Sequence, residues 1–526
     1  GGSAVTSYQV YRNDGSSAAA SLLGTAAHTT ADGSTTTATL SGLSAGMLYS
    51  FAVSAVSDAG EGELSSVLAQ SSAPGAPASG PTSVHQTSAS ISLSWSAPAS
   101  DGDSGADATG YRLYNVAGAA PALLFEGAET AYEQVELSAG TSYSYAVSAV
   151  SGAGESPSTS ALVQYTAPAA PTGLVSSAWT TTGFAVTWVA PAVGNGPAVD
   201  GYTLYERVTH EMGDVASGGV PDDVLQTMLS QSTDTVVVDT VAYDGRSSTA
   251  VSTTLSGLSG GVSYDYVVAA RSSAGEGARS AALSVSTSPP APGSLASVSQ
   301  TTSSITLSWS APVVTTGSAV TGYKLYIDDG SSGDPSAEVS CGGAALDTTC
   351  TASGLTGGVS YSFEVSALST NGESVTSSVL TQSTAPAVVA ASGMVFSSVA
   401  MTSMVLTWSA PSGETPTGYI VYRDDGDSTA MPTPSIVAFE GDALTTTVDG
   451  LTGGTTYTYM IAALSGSGVS EVSDESAQST TPASPLDLSS VSQTSTSISL
   501  SWSASVVSGG SAVTSYQVYR NDGSSA

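Results

Sequence analysis

Positive charge is almost missing from this sequence. Nine Lys and Arg, with Lys324 the single lysine, stand against 43 Asp and Glu in 526 residues, a formal net charge of −34. That field repels phosphate backbones and anionic headgroups, which excludes nucleic acid as a partner. Charged side chains reach only 10%, against about 25% in ordinary soluble proteins, so Ser, Thr, Gly and Ala must make most of the surface. No run approaches the ~18 uninterrupted apolar residues of a membrane span, and Gly1 to Ala4 have neither the basic start nor the apolar core of a signal peptide. Histidine is limited to His28, His85 and His210. No nucleophile, base and orienting group can be assembled from such a set, so an enzyme is not expected and neither catalytic nor cofactor-binding residues are assigned. Asn-x-Ser/Thr and Arg-Gly-Asp are also missing, which leaves N-glycosylation and the best-known integrin contact unsupported. The Ser/Thr density leaves O-glycosylation open.

What is present is repetition. Residues 1–18 and 509–526 are identical at all 18 positions with an offset of 508. This predicts either a parent protein that repeats a 508-residue block or a window cut from a periodic chain, so Gly1 is not expected to be a natural N-terminus. Inside the block, Trp95, Trp188, Trp309, Trp408 and Trp502 recur at spacings of 93, 121, 99 and 94. Each follows an alternating run such as Ile91-Ser92-Leu93-Ser94-Trp95, the period of a half-buried strand with Ile, Leu and Trp turned to a core. A second strand begins with Tyr, as in Tyr111-Arg112-Leu113-Tyr114 and Tyr323-Lys324-Leu325-Tyr326. Later in each unit Leu-x5-Tyr opens a third alternating run at Tyr49, Tyr143, Tyr264, Tyr361 and Tyr457. A Gly-Glu or Gly-Val pair, a Ser/Thr-rich strand and a Pro-containing joint close it.

Short strands at regular spacing, with turn signals between them, predict antiparallel β-sandwiches plugged by the Trp. The early Trp, the Tyr-x-x-Tyr strand, the Leu-x5-Tyr corner and the Gly-Glu turn make the chain resemble tandem fibronectin type III domains along its whole length. The resemblance implies an all-β fold of tandem seven-stranded Greek-key sandwiches in an extended rod, with the corner Tyr hydroxyl bonded back to the backbone. Expected boundaries are 1–75 (lacking its first two strands), 76–171, 172–292 (with an insertion at 207–246), 293–387 and 388–484. Residues 485–526 then supply the first strands of the next repeat. The half-units are expected to be completed either by residues outside the window or by strand donation between subunits.

Cys341 and Cys350 lie in one inserted loop, where a local disulfide or two free thiols remain open. The disulfide would place the chain in an oxidising compartment. Asp424, Asp425 and Asp427 are candidate calcium ligands, though their spacing does not complete a twelve-residue calcium loop and turn chemistry accounts for them equally. Residues 220–229 predict a short helix, either capping its own sandwich or docking a neighbouring strand of a fibre. Two functions follow: a structural subunit of an extracellular or cell-surface filament that self-associates with its own copies, or an adhesin or spacer presenting a binding or catalytic domain located elsewhere. Fold alone does not choose between them.

Overall fold

The computed structural model describes residues 2–13, 26–99, 107–211, 235–328, 330, 333–424, 436–505, 510 and 512–521. They are nearly all-β, and the helical element among them is a 3-10 turn at Ala391–Gly393. Contacts divide the chain into two compact units, residues 1–178 with 184–256 and 264–285, and residues 179–183 with 257–263 and 286–526.

The first sheet of the first unit holds β1 (Val5–Arg12), β2 (His28–Thr29), β3 (Leu48–Ser57), β4 (Gly60–Glu61) and β5 (Leu68–Ser71). β1 lies between β2 and β3, while β4 and β5 both pair with β3. The next stretch forms β6 (Ser79–Gln86), β7 (Ile91–Ser96), β8 (Gly110–Asn115), β9 (Ala122–Gly127), β10 (Ala131–Gln134), β11 (Ser142–Ser151), β12 (Gly154–Glu155) and β13 (Leu162–Tyr165). Here β10-β7-β6 make a three-stranded sheet. β12-β11-β8-β9, with β13 also on β11, make a five-stranded one. Since β12 and β13 share one strand position, the sandwich has seven.

Alternation explains how the layers meet. Ile91, Leu93 and Trp95 lie on one face of β7, are buried, and pack on Tyr111, Leu113, Tyr145 and Val147 of the opposite sheet. Ser92 and Ser94 take the other face. The same three-plus-five arrangement recurs three more times, around Trp188, Trp309 and Trp408. In each sandwich the Trp ring lies 5.3–6.0 Å from the first Tyr of the neighbouring strand, edge-on: Trp95 on Tyr111, Trp188 on Tyr202, Trp309 on Tyr323 and Trp408 on Tyr419.

Three places depart from the sequence reading. The insertion expected at 207–246 begins and ends as strand: Gly201–Glu211 and Thr235–Gly245 form a long antiparallel hairpin, paired from Tyr202↔Gly245 to Glu211↔Thr235. Val236, Val237 and Val238, with Val208 and Thr209 among the residues opposite them, are β-branched and favour a ladder over a loop. The helix expected at 220–229 lies outside the described residues. At the other end Leu486–Gln493 and Ile498–Ser503 pair as two strands, whereas the repeated Tyr516–Tyr519 forms none. Its counterpart β1 is a strand through its ladder to β3, and among the described residues no such partner adjoins residues 512–521. Finally, Cys350 sits in the strand Thr349–Ser353 rather than in a loop.

Candidate functional site

Each sandwich is closed by a repeated set of local bonds. The hydroxyl oxygen of Tyr49 accepts the Ser44 N–H at 2.7 Å, and Tyr143, Tyr361 and Tyr457 accept those of Ser138, Thr356 and Thr452 at 2.9 Å. Tyr264 occupies the same place in the third sandwich and packs its ring 6.3 Å from Tyr266. Trp502 is half-buried, with its ring 5.5 Å from Tyr516.

Of the three candidate calcium ligands, Asp424 bonds to the main chain of the neighbouring strand. The Asp424 carboxylate accepts the Thr458 N–H at 3.1 Å while its own N–H donates to the Thr458 carbonyl. Asp328 holds Ser362 in the same way, and Asn13 holds Ser50. An uncharged Asn in that position shows that the bond needs an acceptor oxygen rather than a carboxylate. Asp425 and Asp427 lie outside the described residues, and no metal-competent group of three His, Cys, Asp or Glu is found among the described residues.

Cys341 and Cys350 are bonded, with their Cα atoms 5.3 Å apart. Cys341 follows the edge strand Ala337–Val339 of one sheet, and Cys350 belongs to the edge strand of the other, so the bridge ties the two layers together.

A polar cluster marks the outer face of four sandwiches. Glu155 on β12 accepts from Tyr114 Oη (2.7 Å), Ser148 Oγ (2.5 Å) and Arg112 Nη1 (2.7 Å). The Ser148 and Tyr114 bonds, with Arg112, hold its carboxyl below the usual range. Equivalent groups gather at Glu61 with Tyr11 and Ser54, at Glu276 with Tyr205 and Arg271, and at Glu373 with Tyr326, Ser366 and Lys324. In the fifth sandwich Val469 and Ala462 replace Glu and Ser, so the cluster is dispensable to the fold. The three histidines fall on separate strands, β2, β6 and Gly201–Glu211, and are not brought together.

Sequence reasoning missed the residues that join one sandwich to the next. Within the first unit, Gly194 and Gly196 donate N–H bonds of 3.2 and 2.9 Å to the Gly140 carbonyl, and Ser142 N–H reaches Asn195 Oδ1 at 2.8 Å. Within the second, Glu414 N–H donates to Gly358 O at 2.7 Å and Gly317 N–H to Gly261 O at 3.0 Å. Gly140, Gly261 and Gly358 all have positive φ, from 59° to 69°. A Cβ on Gly196 would stand 2.5 Å from Gly140 O, and one on Gly413 2.6 Å from Gly358 O, so only glycine permits the approach. A second contact lies beside the first: a Cβ on Gly277 would meet Pro168 O at 2.2 Å, and one on Gly468 would touch Ala385 Cβ at 3.8 Å. The signal was in the sequence, because Gly46, Gly140, Gly261, Gly358 and Gly454 each precede the corner Tyr by three residues.

Repeated sandwiches, Trp plug, Tyr corner and short joints define an array of β-sandwich modules. The fibronectin type III domain pattern matches residues 1–71, 75–165, 169–286, 289–383 and 389–479, and the chain belongs to that family. It is 31% identical to endoglucanase B of Cellulomonas fimi over 318 residues, covering 57% of this chain and 26% of that protein. It is 30% identical to exoglucanase B of Cellulomonas fimi over 347 residues, covering 62% and 27%. Against chitinase A1 of Niallia circulans it is 39% identical over 170 residues, covering 30% and 23%. The chain therefore spans about a quarter of the length of these relatives. Among solved structures it resembles the FN1–FN3 domains of chicken CNTN1, with 15% identity, a TM-score of 0.24 and coverage of 60% of this chain and 99% of that one.

Proposed function

We propose that this chain is an extracellular spacer, a run of fibronectin type III modules that holds a catalytic or binding domain located elsewhere in its full-length protein. The observation that carries the reading is the joint: glycine backbone against glycine carbonyl, fixed by hydrogen bonds and a second contact beside it. Each such bond contributes about 0.5–1.5 kcal/mol, and linkers with one to three prolines leave little slack. Such joints suit a part whose work is to set distance. The likeness to two glucanases and a chitinase, each over about a quarter of its length, supports the same role, and the disulfide suits an oxidising exterior. Chemistry would then reside in the other domains, and this chain would hydrolyse neither glucan nor chitin.

A second reading, a subunit of an extracellular filament, is favoured by the 508-residue offset between identical 18-residue segments. The native polypeptide separates the two. Its intact mass and remaining domains are the measurement: a catalytic or binding domain joined to this region supports the spacer, and a series of 508-residue blocks with no such domain overturns it in favour of the filament. Hydrolysis of either polysaccharide by the purified 526-residue chain would also overturn the spacer reading.

A further inference from the structure

Asparagine occurs in this sequence at Asn13, Asn115, Asn195, Asn371 and Asn521, and two of these, Asn195 and Asn371, precede a glycine. Both of those stand at joints. Asn195 Oδ1 accepts the Ser142 N–H at 2.8 Å, while the next nitrogen along the chain, Gly196 N, donates to Gly140 O at 2.9 Å. Asn371 Nδ2 donates to Ser286 O at 2.7 Å, its Oδ1 accepts the Ser318 hydroxyl at 2.8 Å, and its main-chain carbonyl accepts the Ser288 hydroxyl at 2.7 Å. Ser286 and Ser288 lead into a Pro-containing joint, where Ser288 N–H is bonded to Thr180 O at 3.0 Å and Ser288 O to Gly261 N–H at 2.9 Å. Within the second compact unit, Asn371 thus ties that joint to the sandwich that follows it.

The other modules show that the fold does not need asparagine at either place. At the joint equivalent to that of Asn195, Thr316 Oγ1 accepts the Ser263 N–H at 3.0 Å and Gly317 N–H donates to Gly261 O, so a hydroxyl serves as well. The place of Asn371 is taken by Ala59, Ala153, Ala274 and Ser467 in the other four sandwiches. What Asn-Gly adds is reactivity. A following residue without a Cβ leaves its amide nitrogen open to the carboxamide carbon. That nitrogen bonds to Cγ as its own proton leaves, and the side-chain nitrogen departs as ammonia. Water, the sole co-reactant, then opens the five-membered imide at one carbonyl or the other, giving aspartate or isoaspartate and one more negative charge.

We propose that Asn195–Gly196 and Asn371–Gly372 are deamidation sites gated by their joints. While a joint is closed, hydrogen bonds hold the carboxamide, and at Asn195 the attacking nitrogen too, back from the reaction. A joint that opens releases them, and the product is permanent. The two products act differently. A carboxylate at 195 still accepts the Ser142 N–H, whereas one at 371 has no hydrogen to donate and sets oxygen against Ser286 O, so that joint stays loosened. The inference rests on the joints alone and holds for a spacer and for a filament subunit.

Peptide mass and isoaspartate analysis of the 526-residue chain, held at mildly alkaline pH, test it. Deamidation at both residues is expected to run at least ten-fold slower in the folded chain than in the same chain in urea, since two or more bonds must break first. Ser318→Ala frees the Asn371 carboxamide oxygen and should speed deamidation at 371 at least two-fold, the factor that one ordinary hydrogen bond commands, with 195 unchanged. Gly140→Val, which puts a Cβ 3.5 Å from Val193 Cα at a backbone φ of 59°, should open the other joint and speed 195 alone. Exchange protection of β8 in that variant separates an opened joint from an unfolded sandwich, and Ser318→Ala decides the matter by itself. Asn371→Asp should raise exchange of the Thr287 and Ser288 amides at least two-fold, and Asn195→Asp should leave that of Ser142 as it was. Equal rates in the folded chain and in urea overturn the proposal, as does a rate at 371 that ignores Ser318→Ala or an Asn371→Asp chain whose joint is as protected as before.

Discussion

Trp309 is 6% exposed, is surrounded by Ile305, Leu307, Leu325 and Phe363, and makes no hydrogen bond through Nε1 among the described residues. Its value to the fold is therefore volume. Trp309→Ala should destabilise its sandwich by about 3–5 kcal/mol, and Trp309→Phe by clearly less, because no buried acceptor is orphaned. Hydrogen exchange of the strand Ser360–Ser369 in the full chain reads this locally, and equal losses for the two variants would show that the N–H matters. Glu155 makes a pH-dependent contribution. Its folded carboxyl is held acidic by Ser148 and Tyr114, so the stability it supplies is present above the unfolded value near 4.5 and is lost as pH falls through the lower folded value. Exchange protection of β11 followed between pH 6 and pH 3 should show that loss, and Glu155→Gln should flatten it. Trp309 and its counterparts were legible in the sequence because each ends an alternating run. The Glu155 cluster was not, since antiparallel register gathers it from β8, β11 and β12, positions 112, 148 and 155 apart in the chain.

At the scale of elements, strands with strict alternation could be read directly, while those set by a neighbour could not. In the hairpin Gly201–Glu211 with Thr235–Gly245 the stretch Tyr202–Tyr205 was legible from its Tyr-x-x-Tyr pattern, whereas its continuation from Arg207 read as an insertion because it carries no strict alternation, and it is held by cross-strand pairs such as Arg207 with Asp239 at 2.9 Å. The joints were legible as Pro-containing linkers, but their contacts were not, for a related reason: glycines reveal a turn, but not the carbonyl of another module against them. Gly196→Ala and Gly413→Ala place a methyl within 2.6 Å of that carbonyl and must push the modules apart. Faster proteolysis at the linkers, with exchange protection inside each sandwich unchanged, is the expected result. The disulfide acts within one module. It closes a loop of sequence separation 9, for which chain entropy gives about 2–3 kcal/mol, and Cys350 is 5% exposed beside Leu307. Replacing both cysteines with Ser should lower the stability of that sandwich by about this amount, measured as increased exchange of Ser304–Ser310, and leave the other sandwiches as they were.

For the whole molecule the dominant quantity is the charge of −34. Two copies repel at long range, and the filament reading requires them to meet against that field through flanks rich in Ser and Thr. Raising the ionic strength from about 0.01 to 1 M shortens the Debye length from about 30 to 3 Å, which removes the repulsion and leaves short-range contacts intact. Copies that assemble into a filament should therefore associate at least ten-fold more tightly across that range, with sedimentation of the 526-residue chain as the readout. An interface made of ion pairs would respond in the opposite direction. A chain that sediments as a monomer at both ends of the range counts against the filament and leaves the spacer reading standing.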